Sequence, residues 1–373
     1  MTPRTRTLVA GLAVAAGLAS PLSTAVPAQA VVPSHVVTAA GSDTTQAVMA
    51  AVLARYAGPS GDQTANIPAV PTGSGFVVPA DSTCGQRLYV VSGTPPTSYT
   101  APNGSGAGKN ALKDPTNLTN GCIDIARSSS GPGASDPAAF RYFGFAKDAV
   151  SWAAFNGGHA PASLSKAQIK SVYDCTFTNW SDLGGTAGPI QRYLPQAGSG
   201  TRSFFIANIL DASDPTTVSG PSCPAVKTVE ENKGDQIALA DQAGAIFPYS
   251  AGQWIAQANG VIANHRSSST VRAITIANTS ANPVARPHLG KYAPNVAVVT
   301  SGTFPGVRTV YNVLDTDSVA FTAARNAVGF DAANPTTGVK SPLCSGQLAS
   351  LLQAYGFTPL AADGNGITCT QAP

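Results

Sequence analysis

Short apolar runs alternate with polar, glycine-rich loops along the chain. Residues 36–40 form an apolar run typical of a short strand, and apolar residues then recur with helical spacing from 48 to 56. A second helical pattern covers residues 164–174, and the Gly/Pro-rich residues 58–75 favour a loop. Further strands are predicted at residues 87–92, 122–126, 145–156, 244–249 and 296–300. This alternation of strands and helices predicts an α/β fold.

One polar segment, Gly198-Ser199-Gly200-Thr201-Arg202, precedes the apolar Phe204-Phe205-Ile206 and predicts a loop that opens a helix. The first amides of a helix have no partner within it, and the helix dipole adds partial positive charge there. Such a loop can therefore bind phosphate or sulfate. Serine and threonine are also ordinary helix caps, so both interpretations remain open.

Two polar loops upstream resemble it. The first, residues 41–46, precedes the helix at 48–56, which Ser42, Asp43 or Thr44 can cap. The second contains Gly104-Ser105-Gly106. A nucleotide phosphate loop is excluded there, because Asn103 replaces the first glycine and Asn110 the hydroxyl residue after the lysine. A Gly/Ser turn that opens a helix through Leu112 is expected instead.

Residues 1–30 have the pattern of a secretory signal. Arg4 and Arg6 precede an apolar stretch at 8–18, and Ala28-Gln29-Ala30 fits the cleavage rule. No cysteine directly follows that site, so we expect a secreted protein without a lipid anchor there. No later apolar stretch is long enough to span a bilayer, so no membrane insertion is expected.

Charge is sparse: charged residues are 11% of the chain, and the net charge without Arg4 and Arg6 is +1. Broad nucleic-acid binding is therefore not expected. An even number of cysteines after a signal sequence indicates disulfides. Their spacing favours the pairs Cys84–Cys122, Cys175–Cys223 and Cys344–Cys369. The histidines are scattered and no CxxC motif occurs, so neither a metal site nor a cofactor is expected.

Taken in order, these blocks resemble the phosphate-binding proteins that serve the bacterial ABC phosphate importer. The resemblance covers most of residues 41–249 and is most specific at 164–185 and in the Gly-Ser-Gly-Thr loop. It implies a type II periplasmic-binding-protein fold, with mixed sheets flanked by helices and a hinge between two lobes. One lobe is expected to comprise residues 31–149 and 296–373, and the other residues 150–295.

The resemblance also implies binding residues. Matching positions and their neighbours give the expected ligand-binding set: Thr44, Thr45, Gln46, Ser105, Arg127, Ser128, Ser129, Ser199, Gly200, Thr201 and Arg202. Gln46 stands where an aromatic residue is more usual.

Two family positions depart from the pattern. The acidic residue that accepts the proton of phosphate falls on Ser129, and the arginine before the last loop falls on Pro195. Arg127 or Arg202 can supply the cation instead, and Asp43 can act as proton acceptor unless it caps its helix. Without a matching carboxylate, the choice among phosphate, sulfate and phosphate esters stays open.

The leading hypothesis is thus a secreted, monomeric solute-binding protein, not an enzyme, that captures phosphate or a related oxyanion. An ABC transporter permease is the expected partner. One alternative is a divergent scaffold that binds another ligand or partner. The other is a secreted phosphoester hydrolase, for which no nucleophile with a histidine partner is evident in the sequence.

Overall fold

The computed structural model describes residues 36–56, 63–69, 101–120 and 122–373. The strands in this part are β1 Val36–Gly41, β2 Gln63–Asn66, β3 Ile125–Ser128, β4 Phe140–Phe155, β5 Ser163–Ser165, β6 Gln191–Pro195, β7 Lys227–Val229, β8 Ala245–Ser250, β9 Ser269–Val271, β10 Ala273–Ile276, β11 Thr279–Ala281, β12 Val307–Asp315, β13 Thr358–Pro359 and β14 Thr370–Ala372.

The α-helices are α1 Gln46–Leu53, α2 Ser105–Leu112, α3 Pro115–Asn120, α4 Lys166–Tyr173, α5 Gly200–Asn208, α6 Ala251–Ala258, α7 Val296–Val299, α8 Phe321–Val328 and α9 Ala349–Ala354. Short 3-10 helices lie at Trp180–Leu183, Pro215–Thr217, Gly234–Gln236 and Leu239–Gly244. The predicted α/β class is confirmed.

The long strand β4 organises the main sheet, whose order is β2-β1-β3-β12-β4-β8-β6-β7. Its first part pairs with β12, β13 and β14, and its last part pairs with β8 and β9. Strands β1 and β3 run parallel, and β12 lies antiparallel between β3 and β4. The loops that follow β1 and β3 therefore emerge at the same edge of the sheet.

The apolar core forms separate clusters along this sheet. One cluster packs α1, α8 and α9 against β1 and β12, with Met49, Val310 and Leu352 among its members. Another surrounds Trp152 and Trp180, which stack with centroids 6.1 Å apart. The predicted division into lobes at residues 149 and 295 stays a prediction.

The predicted strand at residues 296–300 is wrong, because Val296–Val299 form helix α7. The amides of Val298 and Val299 donate to the carbonyl oxygen of Asn295 at 2.9 Å. A short run of valines and alanine has no alternation, so its pattern does not separate a strand from a helix. The real strand of this region, β12, begins at Val307 and was not predicted.

The predicted loop at residues 58–75 is wrong for Gln63–Asn66, which form the edge strand β2. This polar segment pairs in parallel with Val36–Ala39 through its main chain, so side-chain periodicity does not reveal it. The strand predicted at 87–92 lies outside the described residues, as do the signal segment and Cys84.

Candidate functional site

The predicted loops meet at the carboxyl end of β1 and β3. Gly41 is the register partner of Arg127 and also forms a bridge with Asn103. This places the first loop beside the loop after β3 and beside the start of α2. The start of α5 joins them, because the amide of Gly106 donates to the carbonyl oxygen of Gly198 at 3.2 Å.

Three serine hydroxyls form a buried cluster at this meeting point. The Oγ atoms of Ser42 and Ser129 are 3.1 Å apart, and those of Ser105 and Ser129 are 3.3 Å apart. The amide of Ser129 also donates to Ser105 Oγ at 2.9 Å. All three residues are at most 1% exposed, so their hydroxyls are available only inside the protein.

Glycines allow the loops to approach this closely. A Cβ atom on Gly200 would lie 2.3 Å from Ser105 Oγ and 2.4 Å from Ser129 Oγ. Gly104 has φ +103°, and a Cβ there would lie 2.3 Å from the carbonyl oxygen of Gly198. The N-terminus of α5 therefore lies directly against the serine cluster, as the helix-terminus interpretation requires.

Two threonines and one carboxylate lie beside the serines. The hydroxyls of Thr44 and Thr201 are 3.2 Å apart, and each donates to Glu231 Oε1 at 2.5 Å. All three residues are fully buried. Glu231 lies between β7 and β8 and was not among the predicted site residues.

Arg308 supplies a buried positive charge at the same place. Its Nη2 donates to Thr44 Oγ1 at 3.3 Å and to Asp148 Oδ2 at 2.8 Å, and its Nε donates to Asp148 Oδ2 at 3.0 Å. The other oxygen of Asp148 accepts the Ser250 hydroxyl and the Gly252 amide. This network fixes the guanidinium, and Arg308 is only 4% exposed.

Asp43 lies next to these groups and is partly buried. Burial and, to a smaller extent, the charge of Glu231 raise the pKa of its carboxyl from 3.8 to about 7, although Lys233 and Asn232 oppose the shift. The prediction that Ser42, Asp43 or Thr44 caps α1 is wrong. Thr45 occupies the N-cap without a side-chain bond, and the amide of Gln46 bonds to the main-chain oxygen of Asp43.

Arg127 is fully buried beneath the first loop. Its guanidinium donates to the carbonyl oxygens of Ala39, Gly41 and Ser42 and to Asn66 Oδ1. Burial lowers its pKa to about 9, so the group is charged at neutral pH. Arg127 therefore holds the loop in place and contributes positive charge through it.

The remaining predicted residues have local hydrogen bonds. Ser199 caps α5 by accepting from the amide of Arg202, and Arg202 Nη1 donates to the carbonyl oxygen of Pro195. The Ser128 hydroxyl donates to the main chain of Ser130. Gln46 Oε1 accepts from the amide of Ala69 at 2.6 Å. Ser199 therefore caps α5, and the start of this helix lies against the serine cluster.

Three buried polar atoms of residues in or next to this cluster have no hydrogen-bond partner in the described part of the protein: Thr45 Oγ1, Glu231 Oε2 and Arg308 Nη1. The guanidinium nitrogen is a donor, the carboxylate oxygen is an acceptor and the hydroxyl can be either. Buried polar groups are normally paired, so such atoms indicate a place where a polar ligand can bind. Arg308 Nη1 suits an anionic oxygen, and Glu231 Oε2 suits a group that donates a proton.

Comparison with known proteins agrees with this architecture. Residues 23–328 match the family model of the PBP superfamily domain. The chain belongs to this superfamily. No curated protein matches the chain.

Solved structures also resemble the chain at low sequence identity. A substrate-binding protein assigned to a phosphate ABC transporter, from Clostridium perfringens and with bound phosphate, is 13% identical with TM-score 0.50, covering 87% of this chain and 100% of that one. The likeness shows the fold. An ABC-type phosphate transport receptor from Vibrio cholerae is 17% identical with TM-score 0.49, covering 86% and 99% of the two chains.

Ser129 and Pro195 are the two positions at which this PBP superfamily member departs from the family pattern. Ser129 lies within the serine cluster, and Pro195 ends β6 with its carbonyl bonded to Arg202. The buried cation instead comes from Arg308 on β12. The sequence offers a weak signal for it, since Arg308 and Asp148 are oppositely charged residues within strands that are mostly apolar. For Glu231 no comparable signal exists.

Two predicted disulfides are present, Cys175–Cys223 and Cys344–Cys369. The pairing of Cys84 with Cys122 falls partly outside the described residues. In the described ranges, no group of three or more His, Cys, Asp or Glu side chains could hold a metal ion. Nor does any helix there have the length and apolar character needed to cross a bilayer.

Proposed function

We propose that this PBP superfamily member captures phosphate or a related oxyanion at the cluster formed by Ser42, Ser105, Ser129, Thr44, Thr201 and the N-terminus of α5. The observation that carries the proposal is the convergence of four separate segments on these hydroxyls. Hydroxyls and helix amides together bind a tetrahedral anion with little net charge.

Arg308 is the cation of the proposed site. Its buried Nη1 has no partner in the described part of the chain, while Asp148 holds the rest of the guanidinium in a fixed position. An anion oxygen that reaches Nη1 would gain a charge-assisted hydrogen bond from a donor that is already oriented. This compensates for the arginine that the family pattern has at Pro195.

The wider role follows the family. We propose a secreted, monomeric binding protein whose lobes, residues 31–149 with 296–373 and residues 150–295, close on the ligand and deliver it to an ABC transporter permease. Solved relatives support this role, since the Clostridium perfringens protein has phosphate bound. In the oxyanion proposal, Asp43 remains the candidate proton acceptor at the edge of the cluster.

Calorimetric titration with phosphate, sulfate and a phosphate ester tests the proposal. We expect saturable binding of phosphate to the purified protein. Ser129→Ala should weaken binding about tenfold, because it removes a hydroxyl at the centre of the cluster. Ser203→Ala is the matched control, since this exposed serine lies on α5 and its hydroxyl only bonds to the Ser199 carbonyl oxygen.

The result against the proposal would be absence of heat with all three anions. Equal affinity of the Ser129→Ala and wild-type proteins for the anion would instead show that the ligand binds away from this cluster.

A further inference from the structure

Glu231 lies at the threonine side of the proposed anion site. Its Oε1 accepts hydrogen bonds from both Thr44 and Thr201, which come from the first loop and from α5. A carboxylate is itself an anion with oxygen acceptors. Glu231 therefore stands in the same relation to these two hydroxyls as an oxyanion ligand would.

The hydrogen bonds to Glu231 leave Thr44 and Thr201 with no donor for a second anion. A threonine hydroxyl has one proton, and an ionised carboxylate only accepts. While Glu231 Oε1 takes both protons, Thr44 and Thr201 offer an incoming anion only lone pairs. An oxyanion that uses these two donors must first remove the carboxylate from them.

Charge balance leads to the same conclusion. The buried cations at the cluster are Arg127 and Arg308, and Asp148 already pairs with Arg308. The charge of Asp43 acts on the other cation, Arg127, so Glu231 is a further buried carboxylate at the cluster. An anion bound beside Glu231 would place two negative charges together in a buried site, whereas moving the Glu231 carboxylate away from the threonines reduces that repulsion.

The main chain around Glu231 is fixed, so the exchange needs only its side chain to move. The amide of Glu231 donates to Gln196 Oε1 at 2.8 Å. The main-chain oxygen of Asn232 accepts from Tyr249 and Gln257, and Asn232 Oδ1 accepts from the amide of Ser250. Rotation about the side-chain bonds of Glu231 can release Oε1 while these contacts remain.

We propose, on the basis of the oxyanion function above, that the Glu231 carboxylate fills the anion site of the empty protein and is displaced from Thr44 and Thr201 when the oxyanion binds. The Glu231 carboxylate competes with the ligand for the hydroxyls of Thr44 and Thr201. It holds the first loop against α5 in the absence of ligand and lowers the affinity for the ligand.

The first test is a phosphate titration of Glu231→Gln beside Glu230→Gln. The neutral amide is a weaker acceptor and does not repel the anion, so Glu231→Gln should bind phosphate about tenfold more tightly than wild type. Glu230→Gln is the matched control, because it removes the same charge at the adjacent residue. Glu230 accepts a hydrogen bond from Asn103 rather than from the threonines. The affinity of this control should stay within about twofold of wild type.

Weaker binding by Glu231→Gln, with wild type still binding, would overturn the displacement and make Glu231 a direct ligand contact. Absence of binding by both proteins would overturn the oxyanion function itself.

The second test needs no ligand. Hydrogen exchange of the ligand-free protein should show the amides at the starts of α1 and α5 exchanging about tenfold faster in Glu231→Ala than in Glu230→Ala, because two hydrogen bonds to a charged group are lost. Equal exchange in the two variants would overturn the role of Glu231 in holding the empty site together.

Discussion

Asp43→Asn should make the protein more stable, by an amount that grows from about pH 4 to about pH 7 and is constant above that. The Asp43 carboxyl has its pKa raised from 3.8 to about 7, first by burial and then by the charge of Glu231. One pKa unit corresponds to about 1.4 kcal/mol, so ionised Asp43 destabilises the folded protein by about 4 kcal/mol well above pH 7. Asparagine has a similar shape and carries no charge.

The direction follows from proton uptake on folding. Because the folded protein holds this proton more tightly than the unfolded chain, the stability that the group contributes is complete below pH 3.8. It is lost as the pH rises through about 7. Between about pH 5 and about pH 8, Asp43→Asn should gain about 2 to 3 kcal/mol relative to wild type.

Urea unfolding at fixed ionic strength across this pH interval measures the difference. Asp174→Asn is the control, because hydrogen bonds from Thr176 and Lys170 lower the pKa of Asp174 despite partial burial. Its effect should be constant over the same interval. A stability difference between Asp43→Asn and wild type that does not change with pH would refute the reasoning.

Three further substitutions test separate parts of the structure. Arg308→Lys keeps the charge but loses the fork to Asp148, so calorimetry should show phosphate affinity about tenfold lower. Gly200→Ala should destabilise the protein by about 1 to 3 kcal/mol in urea unfolding, whereas Gly364→Ala, which meets open space, should have no effect. Replacing Cys175 and Cys223 by serine should lower the unfolding free energy by about 4 kcal/mol, given their separation of 48 residues.

Local chemistry explains which parts of the site could be predicted from the sequence. Glycine and hydroxyl residues before an apolar helical pattern identify loops such as 41–45 and 198–201, because each loop carries its own signal. The contact of loop 41–45 with the loop after β3 depends on β1 and β3 being parallel neighbours, which the sequence indicates only through its resemblance to a family. That contact is present between Ser42 and Ser129.

Long-range pairing explains what was missed. Arg308 reaches the site because β12 lies between β3 and β4, and no local pattern reports that order. Glu231 reaches it through the connection between β7 and β8, where nothing in the neighbouring sequence indicates burial. Conversely, Arg127 was a natural candidate for anion contact, but the fold turns its donors towards the main chain of the first loop.

The most direct test of the central claim is a crystal structure of the protein soaked with arsenate, a tetrahedral analogue of phosphate whose arsenic atom scatters anomalously. We predict one strong anomalous peak whose arsenate oxygens lie within hydrogen-bond distance of Ser129, Thr201 and Arg308 Nη1. A fully occupied peak elsewhere, or none at the cluster at saturating arsenate, would contradict the assignment of this site.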